Sequence, residues 1–408
     1  MSEASPPLKV LFLTACSGRG GAGRSLYLIC RYLDRTLVDP LVVMPEQGSI
    51  GAGLKALGIP VILPHHLRER TFQLRFSRAT PLTRVLSFFL NIWDSARFSL
   101  ELAGIVRQEK VDAIYSNHMM VKIMGVLAGL LTRRPVVLHT RTVYGRMERF
   151  LYLAFAALPH VRRIIAVSDA AAGNFREIAH KVRVVRNGMP VEEVPLGDPG
   201  GRLRREVSVR EGSALVGFAG RLVKRKGIEV FLQAARELLE RRDDVAFVVL
   251  GDVPVGSTHA TLESYRVQAR DQGLEGRIYF LGFKEDAVPY IRDLQVLVVP
   301  SVSPDPCPRV VLEGMAVGTP VVGSAVGGIR EILTHDLTGL LVSPGHPGDV
   351  ADQVERVLDE PELARDLARR ARRTVEEEFA ARDVSRRIQR HLAEALLPAS
   401  AGSASSGG

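Results

Sequence analysis

The chain has 408 residues, which suits two domains of ordinary size better than a single core. Its 46% hydrophobic and 24% charged residues are typical of a soluble globular protein, and no uncharged apolar run reaches the ~18 residues of a membrane-spanning helix. The net charge of +9 favours anionic partners, but it does not distinguish nucleic acid, phosphorylated substrates and acidic membrane surfaces.

The first residues and the cysteines indicate a protein of the cytoplasm. MSEASPPLKVLFL passes from a short polar leader into a strand-like run, without the basic start and cleavage site of a signal peptide. Cys16, Cys30 and Cys307 have neither the number for a disulfide framework nor the spacing of a zinc site. We therefore expect buried thiols and no metal site.

Short β-branched runs alternate with helical patterns in the first half of the chain. Continuous apolar strands of this kind are buried on both faces, as a parallel sheet covered by helices requires. Residues 1–190 are therefore predicted to form a doubly wound, Rossmann-like α/β domain. The predicted strands are residues 9–14, 40–44, 60–64, 113–116, 135–140, 163–168 and 182–185.

A glycine-rich turn follows the first predicted strand. In SGRGGAGRSL, residues 17–26, Gly18, Gly20 and Gly23 match the G-x-G-x-x-G fingerprint of dinucleotide-binding folds. Glu46 has a plausible position for the acidic residue that binds a ribose, so an NAD(P) enzyme is one interpretation. A glycine-rich turn with another ligand is the alternative.

Residues 68–107 combine an excess of arginine with interleaved aromatic side chains. A long amphipathic helix packed on its own domain explains the apolar positions. Contact with a membrane surface or a lipid acceptor is the alternative, and the sequence leaves both open.

The alternation of strands and helices stops at residues 191–212, a segment of proline, glycine and charge that is predicted to be a linker. It resumes in residues 213–380, the second predicted Rossmann-like domain, before a helix over 381–397 that packs back on the N-terminal domain and a flexible tail over 398–408. Because ligands bind at strand carboxyl ends in this fold class, we expect the site in a cleft that both domains face. The second set of predicted strands is residues 215–220, 246–251, 277–282, 296–300, 320–324 and 339–344.

Two segments of the second half contain most of the candidate site residues. GRLVKRKG, residues 220–227, places Arg221 and Lys226 between a strand end and a helix start, where backbone N–H groups and fixed cations favour a diphosphate. Asp305 lies in a proline-rich loop after a later strand, and Glu313 lies one turn into the next helix. Carboxylates accept charge-assisted hydrogen bonds from paired hydroxyls, as a sugar and a ribose offer. For the basic pair alone, solvated surface charge is the plainer interpretation.

These motifs occur in the order found in a known family. GRLVKRKG, GD at 251–252, LGF at 281–283, the D-x7-E block through GMAVGTPVV, VGGIREI and TGLLVSP resemble the C-terminal half of retaining family-4 (group 1) glycosyltransferases of the GT-B fold. GGAG, VLHT, AVSDAA and VRNG resemble the N-terminal half more loosely. Several motifs in order are more specific than one glycine fingerprint, which favours a sugar nucleotide over NAD(P).

The resemblance implies a role for each matching residue. Arg221 and Lys226 would bind the diphosphate of the nucleotide sugar and stabilise the charge of the leaving group. Glu313 would bind the ribose hydroxyls, and Asp305 takes the place of a glutamate that contacts the donor sugar. The other donor-side positions are Gly20 and Gly21 near the phosphates, Phe283 beside the base, and Gly251, Cys307, Arg309 and Val310.

Residues 305–308, Asp-Pro-Cys-Pro, depart from the Glu-Gly-Phe-Gly that is usual in the family. Aspartate is one methylene shorter than glutamate, and Pro306 and Pro308 have no N–H, so Cys307, Arg309 and Val310 provide the backbone donors. The departure leaves the preferred donor sugar open.

Polar residues at strand ends in the first half are the remaining candidates. Asn117 lies where many family members carry a histidine or asparagine that faces the sugar, and His118 is its neighbour. His139 ends a central strand, and Arg141 is a candidate contact for an acceptor phosphate. A helix-entry cap or a satisfied loop histidine explains His118 equally well.

The sequence thus predicts a retaining glycosyltransferase of polysaccharide or glycoconjugate biosynthesis, with a nucleoside-diphosphate sugar as co-substrate and no cofactor. A D-x-D motif is absent from the sequence, so we expect no metal requirement. The acceptor is an unidentified carbohydrate, lipid-linked or phosphorylated molecule rather than nucleic acid, which places the chain in the cytoplasm or at the inner face of the cell membrane. The alternatives are a nucleotide-sugar epimerase, a phosphorylase and a non-catalytic nucleotide-sugar-binding protein.

Overall fold

The chain forms two compact units, Met1–Gly188 with Ala381–Gly408, and Met189–Ala380. The computed structural model describes residues 6–16, 18, 21–66, 81–117, 119–194, 201–207, 209–254, 257 and 261–396, without the side chains of 81–92, 119 and 120.

The first unit is built on a seven-stranded parallel sheet with the order β3-β2-β1-β4-β5-β6-β7. Its central strands are largely buried on both faces, which explains why most of their residues are apolar. The strands are β1 (Leu8–Leu13), β2 (Val38–Val43), β3 (Val61–Ile62), β4 (Ala113–Ser116), β5 (Val136–Thr140), β6 (Val161–Ala166) and β7 (Val182–Val184).

Helices cover both faces of this sheet. One apolar cluster joins the sheet to α3, α4 and α5, and a second joins its other face to α1, α2 and α15. The helices of the first unit are α1 (Gly21–Arg31), α2 (Ser49–Ala56), α3 (Pro81–Gln108), α4 (Met119–Thr132), α5 (Arg146–Ala157), α6 (Asp169–Ala172), a 3₁₀ segment (Gly173–Lys181) and α15 (Ala381–Leu396).

The last helix, α15, belongs to the first unit although the second unit precedes it in the chain. Ile388 and Leu392 pack in the same apolar cluster as Leu26 of α1. The Ser385 hydroxyl donates a hydrogen bond of 2.8 Å to the carbonyl of Ile29. The amphipathic pattern of residues 381–396 is thus satisfied by the face of the first sheet that α1 also covers.

The second unit has a six-stranded parallel sheet with the order β10-β9-β8-β11-β12-β13. Its strands are β8 (Ala214–Ala219), β9 (Val245–Leu250), β10 (Ile278–Gly282), β11 (Val296–Val299), β12 (Val321–Ser324) and β13 (Leu340–Val342). The helices are α7 (Arg202–Glu206), α8 (Ile228–Leu239), α9 (Leu262–Asp271), α10 (Val288–Arg292), α11 (Arg309–Val317), α12 (Ile329–Ile332), α13 (Pro347–Asp359) and α14 (Pro361–Glu378), with 3₁₀ turns at Val191–Glu193 and Lys224–Lys226.

The described part of residues 191–212 is packed into the second unit, which differs from the predicted linker. Leu203 is fully buried, and its N–H donates to the Asp293 carboxylate at 2.5 Å. The Arg372 guanidinium donates to the carbonyls of Val191 and Val194 at 3.0 and 3.2 Å. The proline, glycine and charged residues of this segment indicate irregular backbone that packs on the second unit, rather than a linker between domains.

The fold class is as predicted, and each predicted strand occurs within two residues of its expected ends. The strand predicted over 60–64 keeps only Val61 and Ile62, because proline at both ends lacks an N–H for the ladder. Cys30 and Cys307 are buried, Cys16 is half-buried, and none of the three forms a disulfide in the described part of the chain. None of the described helices combines the length and apolar character that crossing a bilayer requires.

Candidate functional site

The strand order of the second unit reverses between β8 and β11. Strands β9 and β10 lie on one side of β8, whereas β11, β12 and β13 lie on the other. The loops that follow β8 and β11 therefore leave the same edge of the sheet and diverge. Ligands of open parallel sheets bind in this kind of crevice.

The loop after β8 is pressed against the start of the loop after β11. Gly227 has a φ of +76°, and a Cβ there would lie 1.8 Å from the carbonyl oxygen of Pro300, so only glycine is accommodated. The N–H of Val302 donates to the carbonyl of Arg225 at 3.1 Å. This contact fixes the basic 3₁₀ turn Lys224–Lys226 beside the proline-rich loop.

Lys226 and Asp305 form an ion pair across the two loops. Their side chains are only 15% and 9% exposed, so the pair is largely withdrawn from water. Arg221 belongs to the same loop as Lys226 and is exposed at the end of β8. The structure thus brings together three of the residues that the sequence assigns to the diphosphate and the sugar.

Asp305 is held in place by a second glycine-rich turn, which follows β12. The N–H of Gly328 donates to the carbonyl of Asp305 at 2.7 Å. A Cβ at Gly328 would lie 1.8 Å from the carbonyl oxygen of Pro306, and one at Gly327 would lie 2.6 Å from that of Asp305. The sequence shows this turn as VGGIREI, but its role in supporting Asp305 is visible only in the structure.

Helix α11 begins at Arg309, as predicted, and points its N-terminus at the same loop. Arg309 Nε and Glu313 Oε1 are 3.7 Å apart, and both side chains are nearly buried. Pro308 provides no side-chain cap for this end, so backbone N–H groups at Arg309 and Val310 add positive partial charge. Cys307, between the two prolines, is buried.

The loops after β9 and β10 complete this edge of the second sheet. The N–H of Gly251 donates to the carbonyl of Gly282 at 2.8 Å, and a Cβ on Gly251 would lie 1.8 Å from the carbonyl oxygen of Gly220. Phe283 follows Gly282 and remains 45% exposed. The donor-side residues predicted in the second half therefore lie on loops, or in the first turns of α11, at one edge of the sheet.

The first unit has its own reversal of strand order, between β1 and β4. Gly21 is the exposed first residue of α1, whereas Gly20 and His118 lie outside the described residues. Asn117 follows β4, is buried, and donates from Nδ2 to the carbonyl of Ala22 at 3.0 Å. The loops after β1 and β4 are thereby joined at their crevice.

Arg141 is the centre of a polar cluster beside this crevice. Its Nε donates to Asn117 Oδ1 at 3.2 Å, and its Nη2 lies 3.1 Å from His139 Nδ1. Its Nη1 donates to Asn187 Oδ1, which also accepts from the Ser25 hydroxyl. Three of the polar residues predicted in the first half therefore meet.

His139 is buried and neutral. Burial first, and then the charges of Arg141 and Lys122, lower the pKa of His139 well below its ordinary value. Because a guanidinium only donates, Nδ1 accepts and the ring proton resides on Nε2. This Nε2 has no hydrogen-bond partner among the described residues. The contact of His139 with a substrate stays a prediction.

Two residues of the cluster were not predicted from the sequence, Asn187 and Lys122. Asn187 belongs to the VRNG motif, which was a signal for it. Lys122 is a single cation in an apolar helix, where it is 2% exposed and donates to Tyr144 Oη at 2.8 Å. Burial, and secondarily Arg141, lower the pKa of Lys122 to about 7.

Comparison with known proteins assigns both halves to one family. Residues 201–374 match the family model for glycosyl transferases group 1, and residues 19–193 match that for glycosyltransferase family 4. Together the two matches cover most of the chain, including the glycine-rich turn, and leave its NAD(P) interpretation without support.

Individual proteins agree with this assignment. An uncharacterized glycosyltransferase of Methanocaldococcus jannaschii is 30% identical over 275 residues, which cover 63% of this chain and 68% of the relative. A D-inositol 3-phosphate glycosyltransferase of Kribbella flavida is 30% identical, with 65% and 67% covered. The crystal structure of Anabaena HepE in complex with UDP-glucose superposes with a TM-score of 0.78 at 23% identity, covering 95% of this chain and 100% of HepE. The chain therefore belongs to the group 1 glycosyltransferases of family 4 and is an enzyme of the GT-B fold.

Proposed function

We propose that the chain transfers a sugar from a nucleoside-diphosphate sugar to an acceptor with retention of the anomeric configuration. The observation that carries this proposal is the crevice between β8 and β11, where Lys226 and Asp305 lie on two loops fixed to each other, and Arg309 and Glu313 lie in the first turns of α11 beside them. Its basic 3₁₀ turn and helix N-terminus suit a diphosphate, and its carboxylates suit hydroxyl groups. The UDP-glucose bound by HepE supports the same donor class.

The cations of the loop after β8 assist departure of the nucleoside diphosphate. As the bond between the anomeric carbon and the phosphate oxygen breaks, negative charge grows on the diphosphate. Lys226 lies at this edge in its ion pair with Asp305, so it stabilises that charge once the diphosphate has competed with the carboxylate. The acceptor hydroxyl attacks from the face that the diphosphate leaves and gives its proton to a phosphate oxygen, which retains the configuration. These side chains replace a metal ion in this scheme.

The acceptor is a phosphorylated or lipid-linked hydroxyl compound that meets the first unit. Arg141 lies at the strand edge beside Asn117 and Asn187 and has a guanidinium of the kind that binds phosphate. The name of the Kribbella flavida relative, a D-inositol 3-phosphate glycosyltransferase, supports a phosphorylated acceptor. The enzyme acts in the cytoplasm on such an acceptor.

A screen of nucleotide sugars by thermal shift tests the donor. We expect one nucleoside-diphosphate sugar to raise the melting temperature more than its free sugar or the mononucleotide does, because only the folded state binds it. Addition of EDTA should leave the shift and the transfer rate unchanged. A donor consumed without an acceptor would instead indicate an epimerase. Proton NMR of the product should show the anomeric configuration of the donor.

Substitutions in the loop after β8 test the site. Lys226→Ala should lower the transfer rate by about 10²-fold or more, the usual effect of removing one preorganised donor to a developing anion. Arg221→Ala should also lower it. The matched control is Lys224→Ala, because Lys224 lies in the same 3₁₀ turn and is exposed. Wild-type rates in both Arg221→Ala and Lys226→Ala would overturn the assignment.

A further inference from the structure

The short helix α7 holds the loop that follows β10. Glu206, the last residue of α7, forms an ion pair with Lys284 of that loop, and the two side chains are 36% and 20% exposed. Lys284 comes directly after Phe283, the aromatic residue that is exposed at this edge of the sheet. The loop between β10 and α10 is thus fastened to a segment that precedes the whole second sheet in the chain.

Tyr290 of α10 is the second anchor of this loop. Its side chain is buried, and the Lys284 ammonium and the Arg202 guanidinium each lie 4.8 Å from the centre of its ring. Cations at this distance from an aromatic ring are attracted to it. The hydrogen bond from Lys284 lowers the pKa of Glu206, and a hydrogen bond from Tyr290 adds to this effect. Glu206, Lys284 and Tyr290 therefore form one connected group, the α7 bracket.

Helix α7 is itself fixed to the second unit, so it can serve as a support. Leu203 is fully buried, and its N–H donates to the carboxylate of Asp293, which follows α10. Arg202 at the start of α7 contacts Tyr290, and Glu206 at its end contacts Lys284. A displacement of the loop after β10 would break the ion pair and the contact of Lys284 with Tyr290 together.

The loop after β10 lies at the same edge of the sheet as the proposed donor site. Neighbouring strands are about 4.8 Å apart, so the end of β10, two strands from β8, lies about 10 Å from the end of β8. A nucleotide whose diphosphate lies at the loop after β8 can therefore place its base near the end of β10. Phe283 offers an exposed ring there, and aromatic rings stack on one another.

We propose that Glu206 and Tyr290, acting through Lys284, are positioning residues that hold Phe283 for the nucleobase of the donor. A loop that is already ordered loses less entropy when it binds, so the α7 bracket increases affinity for the base end of the donor. Its effect is limited to that end, because the diphosphate meets the loop after β8. The inference rests on the proposed function, in which this edge binds a nucleoside-diphosphate sugar.

Calorimetry of the full chain with UDP, CDP, GDP, ADP and inorganic pyrophosphate tests this inference without an acceptor. The four nucleotides differ only in the base, and pyrophosphate has no base. Glu206→Gln should bind the nucleotide that the wild type prefers about fivefold more weakly, which is the upper range for a partly exposed ion pair. Its preference for that nucleotide over the other three should shrink, and its affinity for pyrophosphate should equal that of the wild type.

Variants of Lys284 separate positioning from a general loss of stability. Lys284→Met removes the cation that contacts Glu206 and Tyr290, so it should weaken nucleotide binding by about fivefold or more. Lys284→Arg keeps both contacts and should retain the wild-type affinity. Glu206→Gln combined with Lys284→Met should lose no more than Lys284→Met alone, because both changes remove the same pair. Glu275→Gln is the matched control, since its partner Arg270 lies 3.6 Å away and Glu275 precedes β10 instead of following it.

Two results would overturn the positioning role. One is a nucleotide affinity of Glu206→Gln and Lys284→Met that equals that of the wild type. The other is an equal loss of affinity for the nucleotide and for pyrophosphate, which would make the bracket a support of the whole edge. Failure of the wild type to bind any of the four nucleotides would be a different result, because it would contradict the proposed donor site and the positioning role with it.

Discussion

Asp305 neutralises Lys226, so the cation proposed to bind the diphosphate already has an anionic partner. The pair joins the loop after β8 to the loop after β11, and the N–H of Gly328 fixes the Asp305 backbone. A diphosphate that reaches Lys226 therefore competes with a carboxylate. Asp305 should therefore affect binding of the bare nucleoside diphosphate and transfer of the sugar in opposite ways.

Asp305→Asn should separate these two properties. Removal of the competing charge should tighten binding of a nucleoside diphosphate by about fivefold, which corresponds to ~1 kcal/mol. The transfer rate should fall by about tenfold or more, because the proposed contact with the donor sugar is lost. Calorimetry and initial rates measure the two effects, with Asp366→Asn on the surface of α14 as the control. Weaker binding of the nucleoside diphosphate by Asp305→Asn would contradict the competition.

Glu313 is proposed to bind the ribose of the donor. The wild type should bind a 2′-deoxyribose analogue of its donor about tenfold more weakly than the ribose form, because a charge-assisted hydrogen bond is lost. Glu313→Gln should bind both forms with nearly equal affinity. Equilibrium binding of the two nucleotides to both proteins gives this comparison, and an unchanged preference in Glu313→Gln would remove Glu313 from the ribose site.

Gly227→Ala should destabilise the second unit strongly. The new Cβ would lie 1.8 Å from the carbonyl oxygen of Pro300, and the φ of +76° adds left-handed backbone strain. Gly273→Ala is the matched control, since Gly273 has a φ of +75° with no atom within 4 Å of its Cβ. We expect a loss of about 1 kcal/mol for the control and about 3 kcal/mol or more for Gly227→Ala. Equal melting temperatures would show that the two loops separate easily.

Buried Lys122 makes stability depend on pH. Its pKa is lowered to about 7 in the folded chain from 10.5, so between these values the unfolded chain binds one more proton. Stability of the wild type therefore increases with pH across this window, by up to about 1.4 kcal/mol per pH unit. Lys122→Met should be more stable than the wild type near pH 7, and this advantage should shrink towards pH 10.

Thermal unfolding at several pH values measures the effect of Lys122→Met. Lys55→Met, an exposed substitution on α2, should show no pH-dependent difference from the wild type. An advantage of Lys122→Met that is constant with pH would indicate that the lysine stays charged in the folded chain.

The fold was predictable because each of its strands has a local signal in the sequence. Buried parallel strands need uninterrupted apolar residues, and prolines and glycines mark their ends. The position of Arg221 and Lys226 at the crevice edge was predictable because a strand end, basic residues and a helix start lie within a few positions of each other. The unusual residues at 305–308 could be recognised from the sequence alone. Their close contact with the turn at Gly327 and Gly328 could not.

The polar cluster of the first unit was less predictable because its contacts are distant in sequence. Ser25 and Asn187 are 162 residues apart, and their hydrogen bond depends on the order of the strands in the sheet. Lys122 resembles an ordinary helix residue in one sequence, and its burial follows from the packing of α4 against its neighbours. Periodicity reports which face of a helix is apolar, but not which polar atoms meet across a sheet.

The return of α15 to the first unit affects the order of folding during synthesis. When residue 380 has left the ribosome, all elements of the second unit are available, while the first sheet still lacks the helix that covers Val10 and Ile165. The unit that begins first is thus completed last. Until then its apolar face is exposed, so a premature stop before residue 381 should yield aggregating protein even though the second unit is whole.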